Sequence, residues 1–128
     1  MSTIALVTGA SGGIGRALAH RLHAQGLRTY VLSNTNEIAT EYFRQQFPFF
    51  TQFEGYAFSF DPTVRALKPA ARIYEKVEEL SGLRGADLFY LDDVPAYVEA
   101  ARQRGWQAIV HTSETASRTA LAEVGLLL

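Results

Sequence analysis

The chain has 128 residues, of which 48% are hydrophobic, and its formal net charge is −1 at pH 7. This composition suits one domain with one core, and it argues against a disordered chain or a nucleic-acid-binding protein. The absence of cysteine excludes disulfides and thiol chemistry. No basic region precedes the short apolar run at the N-terminus, and no apolar run approaches the length of a membrane span. We therefore expect a cytoplasmic protein with no membrane partner.

Short apolar runs alternate with helical patterns five times along the chain. Strands are predicted at 4–7, 29–32, 56–59, 87–91 and 106–110, and helices at 13–25, 36–46, 69–80, 95–104 and 114–124. Gly26, Gly82 and Gly105 follow three of these helices, while Pro69 and Pro95 suit first helical positions. Alternating strands and helices predict an α/β fold, here a three-layer Rossmann-like domain with a five-stranded parallel sheet in the order 3-2-1-4-5.

A glycine-rich turn follows the first predicted strand and leads into a helix. Gly9 lets the chain leave the strand sharply, Gly13 lets a bound group approach the backbone, and Gly15 lets the helix pack closely on the sheet. The N–H groups at the helix start would face an anion, most often a pyrophosphate. The run resembles the Thr-Gly-x-x-x-Gly-x-Gly signature of the short-chain dehydrogenase/reductase family. The resemblance implies NAD(P) binding by Thr8, Gly9, Ser11, Gly12, Gly13, Ile14 and Gly15; the alternative is a tight turn without a ligand.

Downstream of about residue 26, three segments resemble successive motifs of the haloacid dehalogenase-like phosphatases, in particular their sugar-phosphate phosphatase branch. The residues that carry this resemblance are Ser33, Asn34, Lys68, Asp92 and Asp93. It implies phosphate binding by Ser33, Asn34 and Lys68, and Mg²⁺ binding by the two aspartates, whose hard oxygens suit that ion. A solvated acidic turn and a salt bridge from Lys68 to one of the aspartates are the alternatives.

Each resemblance lacks residues that its family's chemistry needs. The first strand of the phosphatases ends in Asp-x-Asp and a cap insertion normally follows, whereas Thr8 and Ser11 here are hydroxyls without a nearby base. The dehydrogenases need a Tyr-x-x-x-Lys pair, and no tyrosine here has a lysine four residues later. Ser33 and Asn34 are neither acidic nor basic, so the second strand does not distinguish NAD from NADP.

The sequence therefore predicts an engineered chimera forming one domain over residues 1–128. Residues 1–25 would be a dehydrogenase-like strand-loop-helix, and residues 26–128 a phosphatase-like core without its cap. We expect no complete active site and no enzymatic activity, with at most weak binding of NAD(P), phosphate or Mg²⁺. The alternatives are a natural degenerate phosphatase-like protein and a weak Mg²⁺-dependent phosphohydrolase.

Nine of the fifteen aromatic residues lie between Tyr42 and Phe60. Most are assigned to the core, and some to a surface that the missing cap would leave uncovered, so we expect a monomer or a weak homodimer. Trp106 is also assigned to the core. The three histidines are predicted to be surface or boundary residues rather than metal ligands: His20, His23 and His111.

Overall fold

The computed structural model describes residues 4–9, 21–46 and 48–126. Its strands are β1 (Ala5–Thr8), β2 (Thr29–Ser33), β3 (Gly55–Phe58), β4 (Leu88–Asp92) and β5 (Gln107–Val110). They form one parallel sheet in the order β3-β2-β1-β4-β5. The predicted fold and strand order are thus confirmed, and β1 lies at the centre of the sheet.

Helical segments connect the strands, and the expected start and stop residues bound several of them. Residues 21–24 form α1; the others are α2 (Glu37–Gln46), α3 (Ala71–Ser81), α4 (Pro95–Gln103) and α5 (Glu114–Glu123), with 3₁₀ turns at Pro48–Thr51 and Gly85–Asp87. Asn36 caps α2 by accepting a 2.8 Å hydrogen bond from the Ala39 N–H, and Gly82 ends α3 at φ +71°. Within the described chain, no helix combines the length and hydrophobicity needed to cross a bilayer.

Element boundaries differ from the predictions at a few positions. Pro69 was expected to begin a helix, but α3 begins two residues later, at Ala71. Residues 67–70 form a turn closed by the Ala70 N–H on the Leu67 carbonyl, so the chain is not yet helical there. The predicted helix at 13–25 falls largely outside the described residues, although Gly26 follows its end at φ +85° as expected.

Hydrophobic clusters cover both faces of the sheet, as a parallel sheet requires. Successive residues of β1 point to opposite faces: Val7 packs towards α3 and α4, and Leu6 towards α1 and α5. A third cluster packs the chain between β2 and β3 against these two strands. Its buried residues are Val31, Phe50 and Phe58, and Phe43, Phe53 and Tyr56 pack against them. Trp106 is buried as predicted.

Candidate functional site

The parallel strands bring the predicted phosphate and metal residues to one edge of the sheet. Thr8 of β1 pairs with Val31 of β2 on one side and with Leu91 of β4 on the other. The residues that follow these pairs lie side by side at the carboxyl ends of the strands, where open α/β sheets bind ligands. The described site is therefore built on the ends of β1, β2 and β4.

Lys68 and Asp92 form a buried ion pair at the centre of this edge. The Lys68 Nζ lies 2.7 Å from Oδ2 of Asp92, and the two residues are only 6% and 3% exposed. The amine also donates to the Gly9 carbonyl at 3.2 Å and to the Tyr90 hydroxyl at 3.3 Å. Tyr90 in turn donates to Asp92 Oδ2. The positive charge of Lys68 is thus already neutralised within the protein.

Burial and hydrogen bonding act in opposite directions on the pKa values of this cluster. Burial by itself raises the pKa of Asp92, but hydrogen bonds from Lys68 and Tyr90 and the charge of Lys68 outweigh it and hold the pKa below its usual range. Burial and the negative charge of Asp92 both raise the pKa of Tyr90. Asp92 therefore stays ionised and Tyr90 stays protonated at neutral pH.

Two further side chains hold Lys68 in this position. The Asn34 Oδ1 accepts a 2.6 Å hydrogen bond from the Lys68 backbone N–H, and its Nδ2 contacts the Lys68 carbonyl and the Tyr97 hydroxyl, both at 3.4 Å. The Lys68 ammonium lies 4.9 Å from the centre of the Tyr97 ring, within cation–π range. Tyr97 is fixed by Tyr74, whose hydroxyl donates to its carbonyl at 2.8 Å. Asn34 and Tyr97 therefore fix the orientation of the lysine.

Gly9 is the position where the backbone of β1 and the ion pair come closest. A Cβ atom at this residue would lie 2.0 Å from Asp92 Oδ2 and 2.8 Å from the Tyr90 hydroxyl. The backbone N–H of Gly9 donates to the Leu91 carbonyl at 2.8 Å, so the chain is held against β4. The Asp92 carboxylate occupies the space that any side chain at residue 9 would need.

The remaining predicted site residues have different positions. Ser33 ends β2 and is 4% exposed, and Thr8 ends β1 and is 2% exposed. Asp93 follows β4 and is exposed, separate from the Lys68 ion pair. The loop residues Ser11, Gly12, Gly13, Ile14 and Gly15 lie outside the described residues.

The donor set that the structure describes at this edge does not fit Mg²⁺. Asp92 already accepts hydrogen bonds from Lys68 and Tyr90 at one oxygen and from the Val94 N–H at the other, 3.0 Å away. Among the described residues, no group of three or more His, Asp or Glu side chains could enclose a metal ion. The predicted salt bridge of Lys68 is confirmed, and Asp92 is its partner.

The two described histidines have local contacts. The His111 Nδ1 lies 2.6 Å from Ser117 Oγ, and Ser117 is fully buried at the start of α5. The His23 Nδ1 lies 3.9 Å from Glu54 Oε1 near the protein surface. His20 lies outside the described residues.

Sequence reasoning missed Tyr90 and Tyr97. Tyr90 precedes Asp92 by two residues on one strand, and residues at this spacing point to the same face of a sheet. The two-residue spacing could therefore have predicted the contact between Tyr90 and Asp92. Tyr97 comes from α4, and nothing in the strand pattern indicates its contact with Lys68.

Comparison with known proteins finds one family match and a set of solved structures with a similar fold. A family model described as short chain dehydrogenase matches residues 3–122. The match extends well beyond residues 1–25, the segment to which sequence reasoning had assigned this resemblance.

The similar solved structures include haloacid dehalogenase-type hydrolases. A had family enzyme from Bacteroides thetaiotaomicron, in complex with magnesium and inorganic phosphate, is 24% identical with a TM-score of 0.66, over 77% of this chain and 52% of that one. L-2-haloacid dehalogenase from Xanthobacter autotrophicus is 21% identical with a TM-score of 0.61, over 88% and 46%. This chain therefore spans about half the length of these enzymes.

An uncharacterized protein from Corynebacterium glutamicum matches over nearly its full length. It is 17% identical with a TM-score of 0.72, and the match covers 98% of this chain and 95% of that one. At these identities the solved structures show a shared Rossmann-like fold. The expected resemblance to dehydrogenases is confirmed by the family match, and the expected likeness to dehalogenase-like hydrolases is found at the level of the fold.

Proposed function

The chain belongs to the short chain dehydrogenase family, and we propose that it is a Rossmann-like domain that binds NAD(P) or phosphate weakly at its glycine-rich loop, without turnover. The observation that best supports this proposal is the buried ion pair of Lys68 and Asp92. A cation that is 2.7 Å from its own carboxylate and 6% exposed has little positive charge to offer an incoming phosphate. In this proposal the anion is held by the backbone N–H groups and the helix start that the sequence predicts for the loop, and such groups contribute only modestly.

The absence of turnover is supported by the residues at the end of β1. The sequence has no aspartate before Asp61, so the first strand supplies no carboxylate nucleophile or general acid. Tyr90 is the tyrosine hydrogen-bonded to Lys68, but burial and the adjacent Asp92 raise its pKa. A raised pKa opposes formation of the phenolate that proton transfer at a tyrosine requires.

We also propose that the chain is an engineered chimera with a dehydrogenase-like segment at 1–25. A dehydrogenase family match beside dehalogenase-type structural neighbours supports a mixed origin, while the boundary at residue 25 rests on the sequence motifs alone, because the family match covers residues 3–122. Both families place a strand-loop-helix at the centre of a parallel sheet, so the exchange preserves right-handed crossovers.

A Mg²⁺-dependent phosphohydrolase is the second candidate. The convergence of Lys68, Asp92 and Asp93 at the ligand-binding edge favours it, as does the fold shared with the had family enzyme. The occupied Asp92 carboxylate argues against it. An assay with p-nitrophenyl phosphate separates the two candidates: Mg²⁺-dependent turnover that disappears in Asp92→Asn would establish the hydrolase.

Calorimetric titration with NADPH tests the proposed binding. We expect a dissociation constant between about 0.1 and 1 mM, and no detectable binding by Gly13→Val, whose side chain would block approach to the backbone. Gly82→Ala is the matched control, because it strains a glycine at the opposite end of α3 from the site. Equal affinity of the parent and Gly13→Val would refute loop binding.

A further inference from the structure

An open cavity of about 590 Å³ lies beside the ion pair, at the carboxyl ends of β2 and β3. Its walls are the segment after β2 and the long segment between β3 and α3. The side chains that matter are those of Thr35, Phe60, Arg65, Leu67 and Pro69. The volume is in the range of small-molecule sites, which usually combine apolar walls with a few polar groups.

Arg65 supplies a positive charge that this cavity can use. Of the carboxylates that the structure describes, none forms an ion pair with its guanidinium. The neighbouring Lys68 differs, since its charge is neutralised by Asp92. Arg65 is therefore the cation of this wall that remains available to an anion.

The backbone holds Arg65 in an unfavourable conformation. Its φ is +46°, in the left-handed region that side-chain-bearing residues rarely adopt. The N–H groups of Val64 and Arg65 donate to the Asp61 carbonyl at 2.8 and 2.9 Å, and Arg72 donates to the Thr63 carbonyl at 2.7 Å. These bonds fix the segment around the strained residue, and strain of this kind concentrates at binding sites.

The other walls of the cavity are apolar. Phe60 is 37% exposed and stacks on Phe58 with ring centres 5.5 Å apart, and Leu67 is 62% exposed. The stacked ring offers a flat apolar surface, and Thr35 on the opposite wall adds a hydroxyl group to the lining. The cavity thus joins one unpaired cation to an aromatic surface.

We propose that this cavity binds an organic anion with a flat apolar body, of the aryl phosphate or aryl carboxylate class. The anionic group would pair with the Arg65 guanidinium, for which bidentate contacts with phosphate or carboxylate are the preferred geometry. The apolar body would lie against Phe60 and Leu67. Lys68 also lines the cavity, but its amine is paired with Asp92, so the charge that this site offers an anion is that of Arg65.

Titration of the protein with phenyl phosphate, followed by calorimetry and by NMR shifts of residues 59–70, tests the proposal. We expect Arg65→Gln to weaken binding about tenfold, the equivalent of one charge-assisted contact. Arg65→Gly removes the same charge and relieves the strained φ, so its loss of affinity cannot be attributed to unfolding. Leu67→Ser should also weaken binding, by about threefold.

Matched controls make the result decisive. Arg84→Gln removes an exposed arginine at the other edge of the sheet, and we expect a change of less than about twofold. Inorganic phosphate and benzyl alcohol should each bind more weakly than phenyl phosphate. Unchanged binding in both Arg65 variants, or equal losses in Arg84→Gln, would overturn the proposal. A parallel loss of NADPH affinity in Arg65→Gln would also overturn it, by making the cavity part of the dinucleotide site.

Discussion

Asp92 Oδ2 lies where a side chain of residue 9 would begin, 2.0 Å from the position of a Cβ atom on Gly9. Real Cβ atoms do not approach other atoms so closely, so a substitution must displace the buried carboxylate or the backbone of β1. We expect Gly9→Ala to lower the free energy of unfolding by about 1–3 kcal/mol, the usual cost of overpacking a filled site. Urea unfolding at pH 7 measures this change.

The Asp92→Ala background supplies the control for this prediction. With the carboxylate removed, Gly9→Ala should cost at least about 1 kcal/mol less, which is the coupling expected between residues in contact. An equal cost in both backgrounds would show that residue 9 is constrained by something other than Asp92.

The Lys68–Asp92 pair predicts a loss of stability in acid. Because the pKa of Asp92 is lower in the folded protein than in the unfolded chain, its contribution is complete above the unfolded pKa of about 3.9 and is lost as the pH falls through the folded value. Unfolding midpoints between pH 7 and pH 2.5 should therefore fall steeply below about pH 4. Asp92→Asn should flatten this decline, while the exposed Asp93→Asn should leave it unchanged. A decline of the same steepness in Asp92→Asn would assign the acid sensitivity to other carboxylates.

The parts of the fold that depend on pattern and glycine position were predictable from sequence. Alternating apolar runs and helices specify a parallel sheet, and Gly26 and Gly82 at positive φ end their helices where the sequence indicated. Pro69 was misplaced because a proline fits the end of a turn as well as the first turn of a helix. Whether Pro69 lies in a turn or begins a helix depends on the hydrogen bond from the Ala70 N–H to the Leu67 carbonyl, which the sequence pattern does not predict.

The residues of the candidate site were predictable from sequence, but the partner with which Lys68 pairs was not. Lys68 and Asp92 are 24 positions apart, and sequence reasoning placed them at one edge without fixing whether they pair with each other or with a ligand. The outcome depends on Asn34 and Tyr97, which orient the lysine from two other elements. It also depends on Gly9, whose lack of a side chain leaves room for the carboxylate.

Glu78 joins α3 to the end of α4 and to the start of β5. It accepts hydrogen bonds from Arg104 at 2.6 and 3.0 Å and from the Trp106 indole at 2.9 Å, and its side chain is 11% exposed. We expect Glu78→Ala to lower the free energy of unfolding by about 2–3 kcal/mol, because the indole N–H and the guanidinium lose their acceptor. Chemical denaturation of the purified variant measures the change.

The adjacent Glu79 is the matched control. It pairs with Arg72 on the surface, where the two side chains are 56% and 34% exposed, so Glu79→Ala should leave the free energy of unfolding nearly unchanged. Equal costs at positions 78 and 79 would contradict the assignment of Glu78 as the interior acceptor.

Two exposed apolar side chains on α2, at and just before the start of the aromatic-rich segment 42–60, predict weak self-association. Ile38 and Tyr42 lie one turn apart on α2 and are 85% and 57% exposed. Two such side chains form a small patch, so we expect a homodimer only at high micromolar concentration or above. Leu80, which is 41% exposed on α3, is the control. Sedimentation over a hundredfold concentration range should show an association that Ile38→Glu abolishes and Leu80→Glu does not. A monomer throughout that range would remove the basis for a dimer.

The charge at the end of β4 predicts how the loop's affinity for NADPH can be raised. Lys68 neutralises Asp92, so the exposed Asp93 is the acid that opposes a bound phosphate. At about 6 Å and an effective dielectric of 20 this repulsion is at most about 3 kcal/mol, and solvent and salt reduce it further. We expect Asp93→Asn to tighten NADPH binding about two- to fivefold, and Asp92→Asn to tighten it more by releasing the Lys68 charge. Burial lowers the pKa of Lys68, so the titrations belong at mildly acidic pH and fixed ionic strength, where protonation of the amine is favoured. Equal or weaker binding by both variants would mean that the acids are not the obstacle and that the glycine-rich loop is only a turn.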